Sequence, residues 1–224
     1  MLSSLAVRLL ARPAIVSLGA LALGTVFAPL PSYAADDVSE VRPVGAFDRV
    51  EVSGAFTTEI TAGRESPRVT IRGSRTILDV VTTHVRDRTL VVGLRDGAHV
   101  NGELPSVTIS VPALRAFKNS GFGTAKIAGL TGADIDIENA GAASIVVTGR
   151  AGHETIELDG TGKIDATGVD AKDAEVDNNG VGLVDVRARG SLEMNVNGLG
   201  MIRYSGSPAH VDSHVNGLGR IERK

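Results

Sequence analysis

The sequence predicts an all-β protein whose C-terminal half is a β-solenoid, or β-helix, of about six coils of about 19 residues each. The first observation is a glycine that recurs along this half at intervals of 20, 19, 20, 18 and 19 residues. The second is an alternation of apolar and polar residues on both sides of each such glycine. The third is composition, since glycine accounts for 27 of 224 residues. Five nearly equal intervals in succession indicate a repeat architecture.

Each repeat is organised around one corner glycine. Positions four residues before it, and four and six residues after it, are mostly apolar, whereas the residues between them are mostly polar. This period of two predicts two short strands per coil, each with an inward and an outward face. Two short strands cannot bury a core alone, so successive coils must stack. The six corner glycines are Gly121, Gly141, Gly160, Gly180, Gly198 and Gly217.

The corner also contains asparagine. Each of the last three corner glycines is directly preceded by one, at Asn179, Asn197 and Asn216. Both residue types tolerate positive φ, so the sequence predicts a turn of that conformation. The stacked asparagines are explained either by turn formation alone or by a ladder of amide hydrogen bonds from coil to coil.

Residues 1–34 are predicted to be a signal peptide that lies outside the fold. Arg8 and Arg12 precede an uncharged apolar stretch, and Ala34 ends a cleavage site of small residues. An uncleaved transmembrane anchor is the alternative, which the glycines and proline within the stretch disfavour. A chain exported in this way is periplasmic or secreted and has no membrane span after signal removal.

The remainder is predicted to be one domain behind a short leader. Residues 35–45 are expected to be a flexible leader. Residues 46–112 contain several alternating segments and form a strand-rich N-terminal part, and residues 113–224 contain the coils. No low-complexity linker separates the two parts, so residues 46–224 are treated as one cooperative unit.

Composition excludes several classes of site. The chain has no cysteine, which rules out disulfides, a thiol nucleophile and cysteine-ligated metal centres. Its net charge of −3, with scattered basic residues, provides no electrostatic basis for binding nucleic acid. The glycine pattern matches neither a dinucleotide-binding loop nor a calcium-binding nonapeptide repeat, so no cofactor is expected.

The arrangement of motifs resembles one bacterial family, called putative auto-transporter adhesin, head GIN domain. The residues that carry the resemblance are Phe47, Val50, Val52, Gly54 and Phe56 at the start, Ile77-Leu78, Thr89 to Val92, Val111-Pro112 with Leu114, Ser120-Gly121 with Gly123, and Gly206-Ser207-Pro208. The resemblance covers residues 46–224 as a head GIN-like domain. It implies a β-helical export protein of the bacterial envelope, and it supplies no catalytic residues.

Three classes of function are open to such a scaffold. The favoured class is a non-enzymatic, adhesin-like binding module of the cell envelope, whose partner would be an envelope protein or a polysaccharide. The alternatives are a polysaccharide-acting lyase or glycosidase, by analogy with other β-helices, and a purely structural self-associating module. An enzyme is not predicted, because a sugar-cleaving site needs paired carboxylates beside aromatic platforms and aromatic residues make up only 3% of the chain.

The outward positions of the strand before each corner glycine are acidic. Stacked coils would place like charges about 5 Å apart, which either raises carboxylate pKa values or attracts divalent cations. This face is therefore either a docking face for a basic partner or for weakly bound cations such as calcium, or a solvated surface that keeps an exported protein soluble. Its candidate residues are Asp136, Glu138, Glu157, Glu175 and Asp177.

A second candidate surface is apolar. Val181, Leu199 and Leu218 lie between paired glycines, and Leu183 and Met201 occupy an outward column one step further along. If these side chains are exposed, they form a ridge that fits a partner or a second copy of the chain, which makes a homo-oligomer one expected state. The alternative is that the residues between the glycines fold inward at the corner and belong to the core.

Overall fold

The computed structural model describes residues 37–100, 102–132 and 134–224, which lie in one compact unit. The predicted signal peptide lies outside the described residues. Within them, α1 (Arg75–Leu78) is a single turn, and no helix is long and apolar enough to cross a membrane. The strands are β1 (Asp37–Arg42), β2 (Arg49–Val52), β3 (Ala55–Ala62), β4 (Arg68–Ser74), β5 (Val81–Arg86), β6 (Thr89–Leu94), β7 (Ser106–Val111), β8 (Ala116–Asn119), β9 (Phe122–Thr131), β10 (Ile135–Asn139), β11 (Ala142–Leu158), β12 (Thr161–Asn178), β13 (Val181–Ala188), β14 (Ser191–Val196), β15 (Leu199–Gly206), β16 (His210–Val215) and β17 (Arg220–Arg223).

The strands stack in two ladders of parallel pairs that run along the solenoid axis. The first ladder holds the strands that precede the corner glycines, in the order β6, β2, β8, β10, the end of β11, the end of β12, β14 and β16. The second holds those that follow, in the order β7, β3, β9, the start of β11, the start of β12, β13, β15 and β17. The predicted fold class is confirmed as a β-solenoid of about five turns, close to the six predicted.

The core consists of stacked columns of aliphatic side chains, as the alternation predicts. One column contains Ile145, Ile164, Val184 and Ile202, which are completely buried at successive positions of the second ladder. In the first ladder Ile137 and Ile156 occupy equivalent inward positions. Each inward side chain packs against the same position one coil above and below, so the core is continuous along the axis.

The strand-rich N-terminal part belongs to the same stack. Strands β2 and β3 form a coil with Gly54 at its corner, and this coil pairs directly with β8 and β9. Beyond it, the antiparallel strands β1, β4 and β5 cover this end of the solenoid. Antiparallel edge strands at the end of a parallel stack protect it against uncontrolled pairing.

The segment predicted as a flexible leader contains strand β1, so that prediction is wrong for Asp37–Arg42. This strand pairs antiparallel with β4 over its whole length, and the Arg42 guanidinium donates a hydrogen bond of 2.7 Å to the carbonyl oxygen of Leu78. Val38 packs against the core. The sequence missed this strand because its partner lies about 30 residues away along the chain.

The six predicted corner glycines are required by close packing between coils, and the prediction that they need positive φ is wrong for all six, although Gly54 at the corner of the coil before them has φ 117°. A Cβ atom on Gly160 would overlap the carbonyl oxygen of Gly141, and the same clash recurs between Gly141 and Gly121. Positive φ occurs instead two residues further on, at Gly123 (φ 135°) and Gly162 (φ 136°).

The asparagines at the corner form the ladder that the sequence left open. Asn197 Nδ2 donates to Asn179 Oδ1 at 2.8 Å, and Asn216 Nδ2 donates to Asn197 Oδ1 at 3.1 Å. The ladder continues upstream, where Asn179 Nδ2 donates to Asp159 Oδ1 at 2.9 Å. Each amide therefore tethers one coil to the next.

Candidate binding surfaces on the solenoid

An apolar patch lies on the last coils of the second ladder, and we define it as Val181, Leu183, Leu199, Met201 and Leu218. Val181 pairs in register with Leu199, and Leu183 pairs with Met201. The side chains of Val181, Leu199 and Leu218 are 48%, 56% and 84% exposed. The residues between the paired glycines thus point to solvent, and the alternative that they fold into the core is wrong.

The apolar patch surrounds a shallow groove of about 530 Å³. The groove is lined by the leucine and methionine side chains of the patch, by the glycines between them, and by Arg203 and Arg220. Leu183 and Met201 are half-buried there, so they contribute surface to the groove as well as packing. The groove offers an apolar binding surface with a polar rim.

A buried carboxylate holds the border of the patch in place. Asp185 is completely buried, and the guanidinium of Arg203 donates to both of its oxygens at 2.7 Å. The Nζ atom of Lys163 lies 3.4 Å from the same carboxylate, and that of Lys224 lies 3.7 Å away. Burial by itself raises the pKa of Asp185, but the hydrogen bonds and charge of Arg203, together with Lys224 and Lys163, hold the pKa below its ordinary value. Arg203 is therefore fixed in orientation beside the groove.

The acidic face has the two columns of outward residues that the sequence predicts. Glu138, Glu157 and Asp177 occupy one column on three successive coils of the first ladder. Asp136 and Glu175 share a neighbouring column, but Thr155 lies between them, so they are two coils apart. The structure therefore brings together three of the five predicted residues and separates the other two.

Two polar neighbours relieve the charge at the ends of this column. Lys118 Nζ lies 2.7 Å from Glu138 Oε1, and this hydrogen bond raises the pKa of Lys118. Asn195 Nδ2 donates to Asp177 Oδ1 at 2.9 Å. The sequence reasoning missed Lys118, although it stands three residues before its corner glycine, as Glu138 does.

Glu157, in the middle of the column, has acidic neighbours on both sides. Burial raises its pKa, and the charges of Asp159 and Glu138 raise it further. Carboxylate oxygens of Glu138, Glu157 and Asp159 lie within 4.8 Å of one another, which is an arrangement of oxygen ligands that a hard divalent cation accepts. Asp159 was missed because it lies at the corner, outside the strand pattern.

We expect millimolar calcium to raise the free energy of unfolding by about 1 kcal/mol when its concentration is several times a dissociation constant of about 1 mM. The reason is that the cation neutralises repulsion among Glu138, Glu157 and Asp159 in the folded chain only. Thermal unfolding at constant ionic strength measures the shift. Glu157→Gln should abolish the shift, whereas Glu193→Gln, on the same face outside the cluster, should retain it. An unchanged midpoint in the unmodified chain would identify the column as a solvated surface.

Comparison with known proteins supports the fold. Residues 46–208 match the family model described as putative auto-transporter adhesin, head GIN domain. A search of curated proteins finds no match. Among solved structures, a putative adhesin from Bacteroides fragilis has a TM-score of 0.69 at 24% identity, covering 84% of this chain and 97% of that chain.

Two further solved structures have the same architecture. A putative adhesin from Parabacteroides distasonis has a TM-score of 0.54 at 22% identity, covering 85% of this chain and 98% of that chain. One from Parabacteroides merdae has a TM-score of 0.51 at 19% identity, covering 84% of this chain and 96% of that chain. At these identities the likeness shows the fold alone.

Proposed function

Because this chain belongs to the family described as putative auto-transporter adhesin, head GIN domain, we propose that it is a non-enzymatic, exported binding module of the bacterial cell envelope. Residues 1–34 act as the signal peptide in this proposal, and the module works in the periplasm or after secretion. Binding is adhesin-like and takes place at the apolar patch. The observation that carries the proposal is the exposure of that patch, with Leu218 84% exposed.

The corner geometry by itself does not require large apolar side chains. The same column holds Ala142 and Thr161 on the preceding coils, in register with Val181. Phe122, 60% exposed in the same column, has only alanines beside it, namely Ala55 and Ala142. The last coils therefore differ in presenting large apolar side chains one after another. Burying one leucine side chain gains about 1.5–3 kcal/mol, so a partner that covers the patch gains binding energy. Contiguous exposed apolar surface with a polar rim is typical of interaction sites.

The chemistry of the patch favours a protein partner over a polysaccharide. Its surface consists of aliphatic and thioether side chains, whereas sugar-binding faces usually rely on aromatic stacking. Arg203 bonds Asp185 and Arg220 pairs with Glu222, but each guanidinium keeps further N–H groups that suit carboxylates or backbone carbonyls of a protein segment. The proposed partner is accordingly an envelope protein that presents apolar side chains flanked by acidic groups.

The proposal is tested with the double variant Leu183→Lys/Met201→Lys, because two lysines in the groove must be desolvated when a partner docks. Envelope extracts first identify the bound protein by cross-linking and mass spectrometry, and its affinity is then measured with purified components. We expect the double variant to weaken that affinity by about tenfold or more.

The matched control is Val146→Lys, which changes an exposed valine on the same ladder outside the patch. Its affinity should equal that of the unmodified chain, and both variants should remain folded at the temperature of the binding measurement. Equal affinity of the double variant would contradict the proposal. Binding of a purified polysaccharide at the patch would contradict the choice of partner. Conversion of a polysaccharide would instead favour the lyase or glycosidase alternative.

A further inference from the structure

The last coil of the described chain has an open edge on both ladders. In the part of the chain that the structure describes, β16 pairs with β14 alone and β17 pairs with β15 alone. The outer edges of both strands therefore carry unpaired backbone N–H and C=O groups. Such edges are templates for pairing with another strand.

The core columns are also uncovered at this edge. Val211 and Val215 are in register with the buried residues Leu192 and Val196, yet each valine is 46% exposed. Ile221 follows the completely buried Ile202 and is itself only partly covered. Solenoids normally shield such columns with a capping element that is polar on its outer side.

Two copies of strand β16 can pair antiparallel with Ser213 facing Ser213 of the second copy. In this register the strand is complementary to itself. Val211 then lies opposite Val215 of the second copy, which joins two apolar residues of the open core column. Asp212 lies opposite His214 of the second copy, in addition to its own chain's His214, whose Nδ1 atom lies 3.6 Å from Asp212 Oδ1. Both contacts occur twice because the pairing is symmetric.

Strand β17 is self-complementary in the same way when its centre is Ile221. Arg220 then lies opposite Glu222 of the second copy. Within one chain Arg220 Nε already lies 2.9 Å from Glu222 Oε1, so the pairing brings two such ion pairs together as four alternating charges, which stabilise a strand pair. Ser213 and Ile221 each lie four residues from the corner glycine Gly217. A single two-fold axis can therefore relate the two copies of β16 and the two copies of β17 at the same time.

We propose that the edge formed by β16 and β17 pairs with the same edge of a second copy of this chain, giving a dimer with two-fold symmetry. Each ladder then continues across the axis as an antiparallel pair, which satisfies the open backbone groups and covers Val211, Val215 and Ile221. The occupant is a second copy because both strands are their own complement in charge and in apolar pattern. The inference rests on the strand edges rather than on the apolar patch, and shares with the groove only Arg220.

A cysteine at the symmetry axis tests the geometry, because the chain contains no cysteine of its own. In an antiparallel pair the facing Cα atoms are about 4.5–5.5 Å apart, which permits a disulfide. Ser213→Cys should therefore form a covalent dimer under mild oxidation. His210→Cys is the control: it changes an exposed residue of the same strand, and its two copies would be about 20 Å apart. It should stay uncrosslinked.

A charge exchange tests the pairing of β17. Glu222→Arg places an arginine opposite Arg220 of the second copy at two equivalent sites, so we expect the dimer dissociation constant to rise about tenfold. The exchanged variant Arg220→Glu/Glu222→Arg should restore the original constant. Sedimentation equilibrium of the purified exported chain measures all three.

Several outcomes would overturn the dimer. The first is that the unmodified chain stays monomeric at a concentration of about 100 μM. The second is that the two cysteine variants cross-link equally. The third is that Glu222→Arg leaves the dimer dissociation constant unchanged. A dimer that Leu183→Lys/Met201→Lys disrupts would also overturn it, since association would then use the apolar patch. Retention of the dimer by that variant, with loss of partner binding, supports both proposals separately.

Discussion

We expect Gly160→Ala to lower the free energy of unfolding by about 3 kcal/mol. The corner glycine of each coil stacks on the corner glycine of the coil before it, and a Cβ atom at position 160 would overlap the carbonyl oxygen of Gly141. This oxygen accepts a hydrogen bond of 2.8 Å from the backbone N–H of Thr161. The clash cannot be relieved by a side-chain rotation, because both contacting groups are backbone.

The matched control is Gly152→Ala in β11, the strand that ends two residues before Gly160. A Cβ atom there would meet the carbonyl oxygen of Gly132 at 3.6 Å and the Oδ1 atom of Asp134 at 3.7 Å, which are ordinary contacts. We expect this substitution to change the free energy of unfolding by less than about 0.5 kcal/mol, in line with other substitutions that create no clash. Urea unfolding of the two variants and the unmodified chain measures the difference. If both substitutions lowered the free energy of unfolding equally, the cost of alanine would be conformational, and close packing at Gly160 would not explain it.

The second large effect is expected at Glu154, whose carboxylate lies in the core. The residue is completely buried, and neither of its carboxylate oxygens has a hydrogen-bond partner. Its neighbours in the inward column are Ile135 and Ala174, with Leu192 one coil further on. Burial raises the pKa of Glu154 to about 8.

The raised pKa makes the chain less stable as pH increases. The folded chain keeps the Glu154 proton up to about pH 8, whereas the unfolded chain releases it near its ordinary pKa of 4.5. Between these values the unfolded state binds fewer protons, so the free energy of unfolding falls by up to about 1.4 kcal/mol per pH unit. The stability that protonated Glu154 retains relative to its ionised form is fully present below pH 4.5 and is lost by pH 8.

Glu154→Leu should therefore stabilise the chain by roughly 3 kcal/mol at pH 7. Leucine already occupies this column at Leu192, so its shape is compatible with the stack. The difference in free energy of unfolding between variant and unmodified chain should grow from pH 5 to pH 8 and then stay constant. Urea unfolding at several pH values measures it.

Glu154→Gln separates the effect of ionisation from the effect of burying a polar group, because glutamine cannot ionise but still leaves a polar group without a partner. It should abolish this pH dependence while stabilising the chain less than Glu154→Leu does. As a control, Glu193→Gln changes an exposed carboxylate of the same ladder and should keep the pH dependence. A difference between Glu154→Leu and the unmodified chain that does not vary with pH would show that Glu154 finds a partner or water on folding.

The amino-acid sequence by itself determined the repeat, the strands of each coil and the faces they present. The alternation that places Ile145 and Ile156 inward, and the spacing that aligns Glu138 with Glu157, recur in every coil and so can be read from a single chain. The exposure of Val181 and Leu199 remained open in the sequence, because alternation does not specify which way a corner residue points.

Tertiary structure alone decided which segments become neighbours in space. Strand β1 forms because β4 offers it an edge, and Gly54 joins the stack because the chain leaves that coil and returns beside it at β8. The role of Gly160 depends on the backbone of the coil before it. The pKa of Glu154 depends on a core built from residues about 20 positions away on either side. The sequence pattern shows which residue types recur from coil to coil. Packing distances and charge partners depend on the register between coils, which exists only in the folded chain.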